Sequence, residues 1–475
     1  MRRGRNGTSE PADQRTGARI GVTACLAIGL LCAGPLVRLS AQSPAPLPSL
    51  REQARIQQGW LQYRLDSILP RLMREHGVQT WLVICREYNE DPVFFSLVSA
   101  TTFACRRRTI YVFHDRGPGR PLERLALGGS SQGGLYQAVR DTTVSVASVA
   151  VAGRGGELVG RGQWDLLRRI LDERTPRTVA IDISATHAFS DGLAVADYEE
   201  LQRALGPALM ARVVRAERLP LDYITLRAPG MDQWYARLQA HVHDIIARAF
   251  SREVITPGTT TTDDVVWWTR DELQRRGLTT WFQTSVDVQR RGVADPSTLG
   301  ASPVILPGDV LHIDFGITAM GLNTDTQHMA YVPREGERDA PAGLRAALAA
   351  SNRLQDIVMA ETRPGRTGNE VLHASLAAMR AAGLTGTVYT HPIGDHGHGA
   401  GPLIGLWDRQ EGVPGRGDVP VLANMWFSIE LEARTAVPGW GGQVVKSSQE
   451  EDAIVGADGV TRWALRRQTE WHIVR

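Results

Sequence analysis

Lysine is almost absent from this chain. Lys446 stands alone among 53 basic residues, and the rest are arginine. Its surroundings match neither a phosphate-binding loop nor a Schiff-base site, which excludes both chemistries. Long basic runs are also missing, and net charge is only +2. No nucleic-acid partner is expected on that pattern. Cysteine is scarce, with four in 475 residues. Cys25 and Cys32 fall in the leader described below. Cys85 and Cys105 stand in strand-like segments, where in an exported protein they could pair or simply be buried.

What is present is ample apolar material. The chain is 43% hydrophobic and 22% charged, enough for a large core and two domains. Residues 1–41 read as a secretory signal peptide. Arg2, Arg3, Arg5, Arg15 and Arg19 precede an apolar run from Ile20 to Val37, and Leu39-Ser-Ala41 offers small residues before a cut. An uncleaved anchor is the competing reading, but the run is short and broken by Gly34-Pro35. The protein is therefore expected to be exported, to the periplasm or beyond, with no lasting membrane association. Residues 42–228 mix helix and strand signals, such as Trp81-Leu-Val-Ile-Cys85 and Thr109-Ile-Tyr-Val-Phe113. A long helix over about Met231–Phe250 opens the second domain, 229–475.

The second domain carries an internal repeat. Pro257-Gly-Thr-Thr260 recurs as Pro364-Gly-Arg-Thr367, with Asp263 and Glu370 three residues after each Thr in the capping-box spacing. Each predicted helix ends at a Gly-Leu, Gly277-Leu278 and Gly383-Leu384. Acid-bearing strands follow in both copies. In the first, Val310-Leu-His-Ile-Asp314-Phe-Gly and Asp325-Thr-Gln flank a hairpin punctuated by Gly321 and Asn323. Centring the turn between Ala319 and Met320 sets Asp314 against Asp325. Two facing carboxylates need a cation between them, and a divalent metal is the simplest one.

Three later segments fit a metal site. They are His391-Pro-Ile-Gly-Asp-His396-Gly-His398-Gly-Ala-Gly401, Trp426-Phe-Ser-Ile-Glu430-Leu-Glu432, and Gln449-Glu450-Glu451-Asp452-Ala-Ile-Val455. Taken singly they read as a solvated loop, a solvent-facing strand and a charged turn. Their order is more specific. It resembles the pita-bread metallopeptidase family, in its aminopeptidase P, prolidase and creatinase branch. The resemblance implies an α+β fold: a pita-bread catalytic domain with internal pseudo-two-fold symmetry, after a smaller creatinase-N-like α/β domain. It implies Asp314, Asp325, His398, Glu430 and Glu451 as ligands for two divalent ions, manganese first, with cobalt, zinc or iron as alternatives. It also implies Glu430 as proton acceptor, with His391 and His396 on the substrate side. The function implied is hydrolysis of Xaa-Pro bonds at peptide N-termini or in dipeptides, by a water or hydroxide shared between the metals. A homodimer is expected by likeness to dimeric relatives.

Departures from the family pattern cluster around substrate. Phe282-Gln-Thr-Ser-Val-Asp287-Val-Gln289-Arg290-Arg291 lacks the histidine expected before the first aspartate. Trp407 stands where a second is expected, and Gln327-His328 replaces an arginine. These changes leave open a non-peptidase C–N hydrolase or lyase, or a metal-binding but silent peptide-binding protein. A serine hydrolase is a more distant rival, from Gly129-Ser-Ser131-Gln-Gly133; it requires a strand, a sharp elbow and a helix.

Overall fold

A computed structural model describes residues 43–105, 107–139 and 161–475. The signal-peptide expectation, with Cys25 and Cys32, lies outside the described residues. Among those described, no helix is long and apolar enough to cross a membrane.

The first half forms one mixed sheet. Helix α1 (Leu50–Tyr63) runs through a π-helical turn at Arg64–Ile68 into α2 (Leu69–Glu75). The strands are β1 (Thr80–Arg86), β2 (Arg108–His114), β3 (Glu123–Leu127), β4 (Gln137–Val139), β5 (Val179–Ile181) and β6 (Val213–Arg215), in the order β4-β3-β2-β1-β5-β6. Every residue of β2 is buried, because helices cover the sheet on both faces. Helices α3 (Phe94–Leu97), α4 (Gly162–Arg174), α5 (Val195–Met210) and α6 (Arg218–Thr225) also belong to the described part of this half. Cys85 and Cys105 are both free and buried; the Cys105 thiol donates to the Cys85 carbonyl at 3.0 Å. After β3, the Gly129–Gly133 segment is a turn leading to β4 with Ser131 exposed. Strand β4 rather than a helix follows the turn directly, so the serine-hydrolase reading fails on its own structural requirement.

Helix α7 (Met231–Ala249) opens the second half. Its apolar positions Tyr235, Leu238, Val242, Ile245, Ile246 and Ala249 recur at helical spacing, all fully buried against the second sheet. Next come α8 (Thr262–Arg275), β7 (Ser285–Gln289), β8 (Val310–Phe315), the short β9 (Thr318–Ala319) and β10 (Leu322–Asn323), and β11 (Thr326–Tyr331). The second copy has α9 (Ala342–Glu361), α10 (Gly368–Ala381), β12 (Gly386–Val388), β13 (His391–Pro392), β14 (Trp426–Val437) and β15 (Gln443–Val455). The main sheet runs β12-β14-β15-β11-β8-β7, with short strands β16 (Thr461–Trp463) on β15 and β17 (His472–Ile473) on β11.

The repeat is physical. Helices α8 and α10 both start in reciprocal capping boxes and end in the same motif. Gly277 and Gly383 take positive φ, and Leu278 and Leu384 bond back to Leu273 and Met379. One expected detail shifts. The first cap is Thr261 with Asp264, one residue later than Thr260 with Asp263; the second is Thr367 with Glu370, as the spacing predicted.

Candidate metal centre

The β8–β11 hairpin closes on Met320-Gly321, which have φ of 55° and 70°. Two successive residues at positive φ make the tight turn that suits the strand twist. That turn sits one residue later than the expected centre, so the register changes. Asp314 lies opposite Gln327 rather than Asp325, and Asp325 falls just past the end of the ladder. The two carboxylates still interact, because the chain folds in at Gly316, where a side chain would collide with the Thr324 carbonyl at 2.1 Å.

Strands β14 and β15 supply the next two acids. Glu430 and Glu450 are direct partners across the ladder, and Glu450 is also opposite Gln327 of β11. Alternation then sends Glu451 to the other face. There it accepts from His243 Nε2 at 2.9 Å, His328 Nε2 at 2.6 Å and the Gln468 backbone N–H at 2.9 Å. The expectation that Glu451 joins the other acids is therefore corrected to Glu450. Three consecutive acids hid the choice, since the one that faces the site depends on pairing with β14.

The imidazoles also exchange places. His391 Nε2 points among the carboxylates, 3.3 Å from Glu450 Oε1, 3.7 Å from Asp325 Oδ2 and 3.9 Å from Glu430 Oε2. Its Nδ1 donates to the Pro392 carbonyl at 2.9 Å, which leaves Nε2 free for the site. His398, the residue expected among the ligands, is exposed. Its ring stands perpendicular to His391 at 4.8 Å, with Trp281 at 5.1 Å beyond it. His396 is turned away, packed on Phe189 at 4.7 Å with Asp395, Arg64 and Arg227 as its charged neighbours. The glycines decide this arrangement. Gly397 lies under the Trp281 ring, and Gly399 folds onto the Pro392 carbonyl, so His398 is held at the rim.

Like charges crowd the site. Burial, then Glu450, pushes Asp314 up to about 7. Asp325 and Glu430 are driven upward by burial and by the same neighbour. Burial opposes protonation of His391, yet Glu450 and Glu430 outweigh it and raise the imidazole to about 9. Asp314 Oδ1, Asp325 Oδ1 and His391 Nε2 are buried without a hydrogen-bond partner. Buried polar atoms left without a partner are costly unless a bound group satisfies them. Ligand atoms of Asp325, His391 and Glu450 lie within 4.8 Å of one another, a spacing a divalent ion can bridge.

Helix α7 braces this floor through a polar stripe that the sequence reading missed. Tyr235 OH is 2.7 Å from Asp452 Oδ2, the Gln239 amide donates to the same oxygen, and His243 reaches Glu451. Their four-residue spacing was the available signal, masked by the apolar residues between them.

Residues 236–455 match metallopeptidase family M24. The second half of the chain is an M24 domain. Its fold is the pita-bread fold, and the smaller α/β domain precedes it. Solved structures agree in fold. The X-Pro aminopeptidase of Thermotoga maritima aligns with a TM-score of 0.57 at 14% identity, over 85% of this chain and 100% of that one. A dipeptidase from Pyrococcus horikoshii gives 0.55 at 16%, over 87% and 100%. The Xaa-Pro dipeptidase of Bacillus anthracis gives 0.52 at 16%, over 89% and 100%. The sequence matches no curated protein at a significant level. The M24 match gives that domain the fold of a metallopeptidase family. Within it, Phe282, which opens the stretch where a histidine was expected, packs on Trp281, and Trp407 lies on the surface, 75% exposed.

Proposed function

We propose that this protein is a metal-dependent exopeptidase that releases the residue ahead of proline from dipeptides or short peptides. The observation that carries the reading is the convergence of Asp314, Asp325, His391, Glu430 and Glu450, with three unpartnered buried atoms among them. These five residues would hold two divalent ions. An oxygen-rich set with one imidazole suits manganese, with cobalt, zinc or iron as alternatives. Such ions, when bound, activate water and polarise a carbonyl. Glu430 takes the proton from the attacking water. His398, at the exposed rim beside His391, would donate to the substrate carbonyl oxygen as charge develops on it.

Arg416 supports a short substrate with a free carboxylate. It is half-buried and, among the described residues, its side chain has no hydrogen-bond or ion-pair partner, yet its charge is felt at His398 and at His187. A partly desolvated guanidinium whose charge reaches His398 suits a substrate carboxylate. Arg416→Ala is expected to raise KM for a dipeptide about 10–100-fold at nearly constant kcat, the loss of one charge-assisted contact. An amidated dipeptide should be nearly indifferent. Equal effects on both substrates would remove Arg416 from this role.

The raised imidazole predicts proton-linked metal uptake. His391 must be neutral to bind an ion, and its value of about 9 means that it is protonated at neutral pH in the metal-free protein. Binding at pH 7 should release protons, and apparent affinity should climb as pH rises toward about 9. Calorimetric titration with manganese in buffers of different ionisation enthalpy measures this; identical heats in all buffers would contradict it.

The deciding experiment strips the protein of metal, restores manganese, and follows cleavage of Xaa-Pro dipeptides and tripeptides, with Asp325→Ala as control. Manganese-dependent release of the N-terminal residue, lost in the control, is expected. Stoichiometric metal without turnover would favour the second reading, a non-peptidase reaction or peptide capture. That reading draws on the aromatic residues at Trp281 and Phe282.

A further inference from the structure

A line of hydrogen bonds runs from the protein surface to both glutamates of the centre. Gln327 is buried on β11. Its Nε2 donates to Glu430 Oε1 at 2.5 Å and to Glu450 Oε2 at 2.8 Å. Its Oε1 faces His312 Nε2 at 2.9 Å, and His312 Nδ1 lies 3.3 Å from Asp287 Oδ2. The strand register builds the line. Asp287 on β7 is opposite His312 on β8, and Gln327 on β11 is opposite both Asp314 and Glu450. The outer end is wet, with the Asp287 side chain 69% exposed.

As metal ligands the two glutamates are ionised and only accept, so the amide turns its NH2 toward them and its carbonyl toward His312. His312 must then donate through Nε2. A reversed amide would set its oxygen against two carboxylates and lose both of those contacts. The consequence falls on the glutamates. One oxygen of each is occupied by Gln327, and the other pair, Glu430 Oε2 and Glu450 Oε1, is turned toward His391 Nε2 at 3.9 and 3.3 Å.

We infer that His312 and Gln327 are positioning residues that orient Glu430 and Glu450 for the metal ions, with Asp287 anchoring the line from outside. This rests on the metal-site reading above. Outer hydrogen-bond partners of metal ligands set the ligand's orientation and basicity, and their loss reduces metal affinity about 10–100-fold.

The test measures metal affinity apart from turnover. Manganese is titrated calorimetrically into the full-length metal-free protein and into Gln327→Met, His312→Phe and His312→Gln. Circular dichroism and melting of the metal-free proteins report folding. Gln327→Met and His312→Phe are expected to fold normally and bind manganese about 10–100-fold more weakly. His312→Gln, which keeps a donor to Gln327 Oε1, should regain most of the affinity. If the unaltered protein binds manganese and the three variants match it, the inference is overturned and the metal site stands. If His312→Gln is as weak as His312→Phe, the donor role is wrong. If the unaltered protein binds none, the metal-site reading falls and this inference with it.

Discussion

Glu450→Ala is expected to reduce metal binding and peptide hydrolysis by more than about 100-fold, beyond what loss of an outer partner alone produces. Glu451→Ala should instead leave metal affinity within a few-fold and lower stability. The two glutamates are neighbours in sequence and chemically identical, so only their faces differ. Glu450 is paired with Glu430 and crowds Asp314, Asp325 and His391. Glu451 sits behind the sheet, where His243 and His328 hold it down at about 2 against the opposing effect of burial. Its removal leaves two buried imidazoles without their acceptor and is expected to cost about 3–5 kcal/mol, as for other broken buried pairs. Manganese titration and thermal melting of both variants separate the cases. A Glu451 variant that loses metal while Glu450→Ala keeps it would reverse the assignment.

Asp395→Ala is expected to destabilise the protein by a similar amount, about 3–5 kcal/mol. Asp395 follows the His391 strand and is clamped by two buried guanidinium groups. Arg64 donates to Oδ2 and Arg227 to Oδ1, each at 2.8 Å, and Ser96 donates to Oδ2 at the same distance. Arg64 belongs to the first helical segment and Arg227 to the link before α7, so one carboxylate ties the His-Gly turn to both. Burial alone would raise Asp395, but Arg64 and then Arg227 bring it down to about 2 from an ordinary 3.8. A depressed carboxylate contributes stability that is present above its unfolded value and lost as pH falls through the folded one. The shift corresponds to roughly 2 kcal/mol, lost between about pH 4 and pH 2. Denaturant melts across that range should show the loss in the unaltered protein, and a weaker slope in Asp395→Ala. Parallel pH profiles for the two proteins would rule the clamp out as the source.

Much of this was legible in the chain. The paired helix entries, the Gly-Leu helix ends and the alternating strands at 310–331 and 426–455 reflect local rules. A positive-φ position selects glycine and a half-buried strand selects alternation, whatever the rest of the molecule does. Asp314, Asp325 and Glu430 stood out for the same reason, as acids in otherwise apolar strands. The choices that failed were of another kind. Glu450 against Glu451, and His391 against His398, are choices of face and direction among like residues a few positions apart. No local preference separates them. A one-residue change of register moves a side chain across a sheet, and the register is set by the Met320-Gly321 turn and by β14 pairing along β15. The line from Asp287 to Gln327 was equally hidden, since it crosses three strands distant in sequence. Element types, the repeat and the supply of ligating groups follow from the order of residues alone, because each depends on a residue and its near neighbours. Which of those groups meet follows from pairings between strands far apart in the chain, and these exist only in the folded molecule.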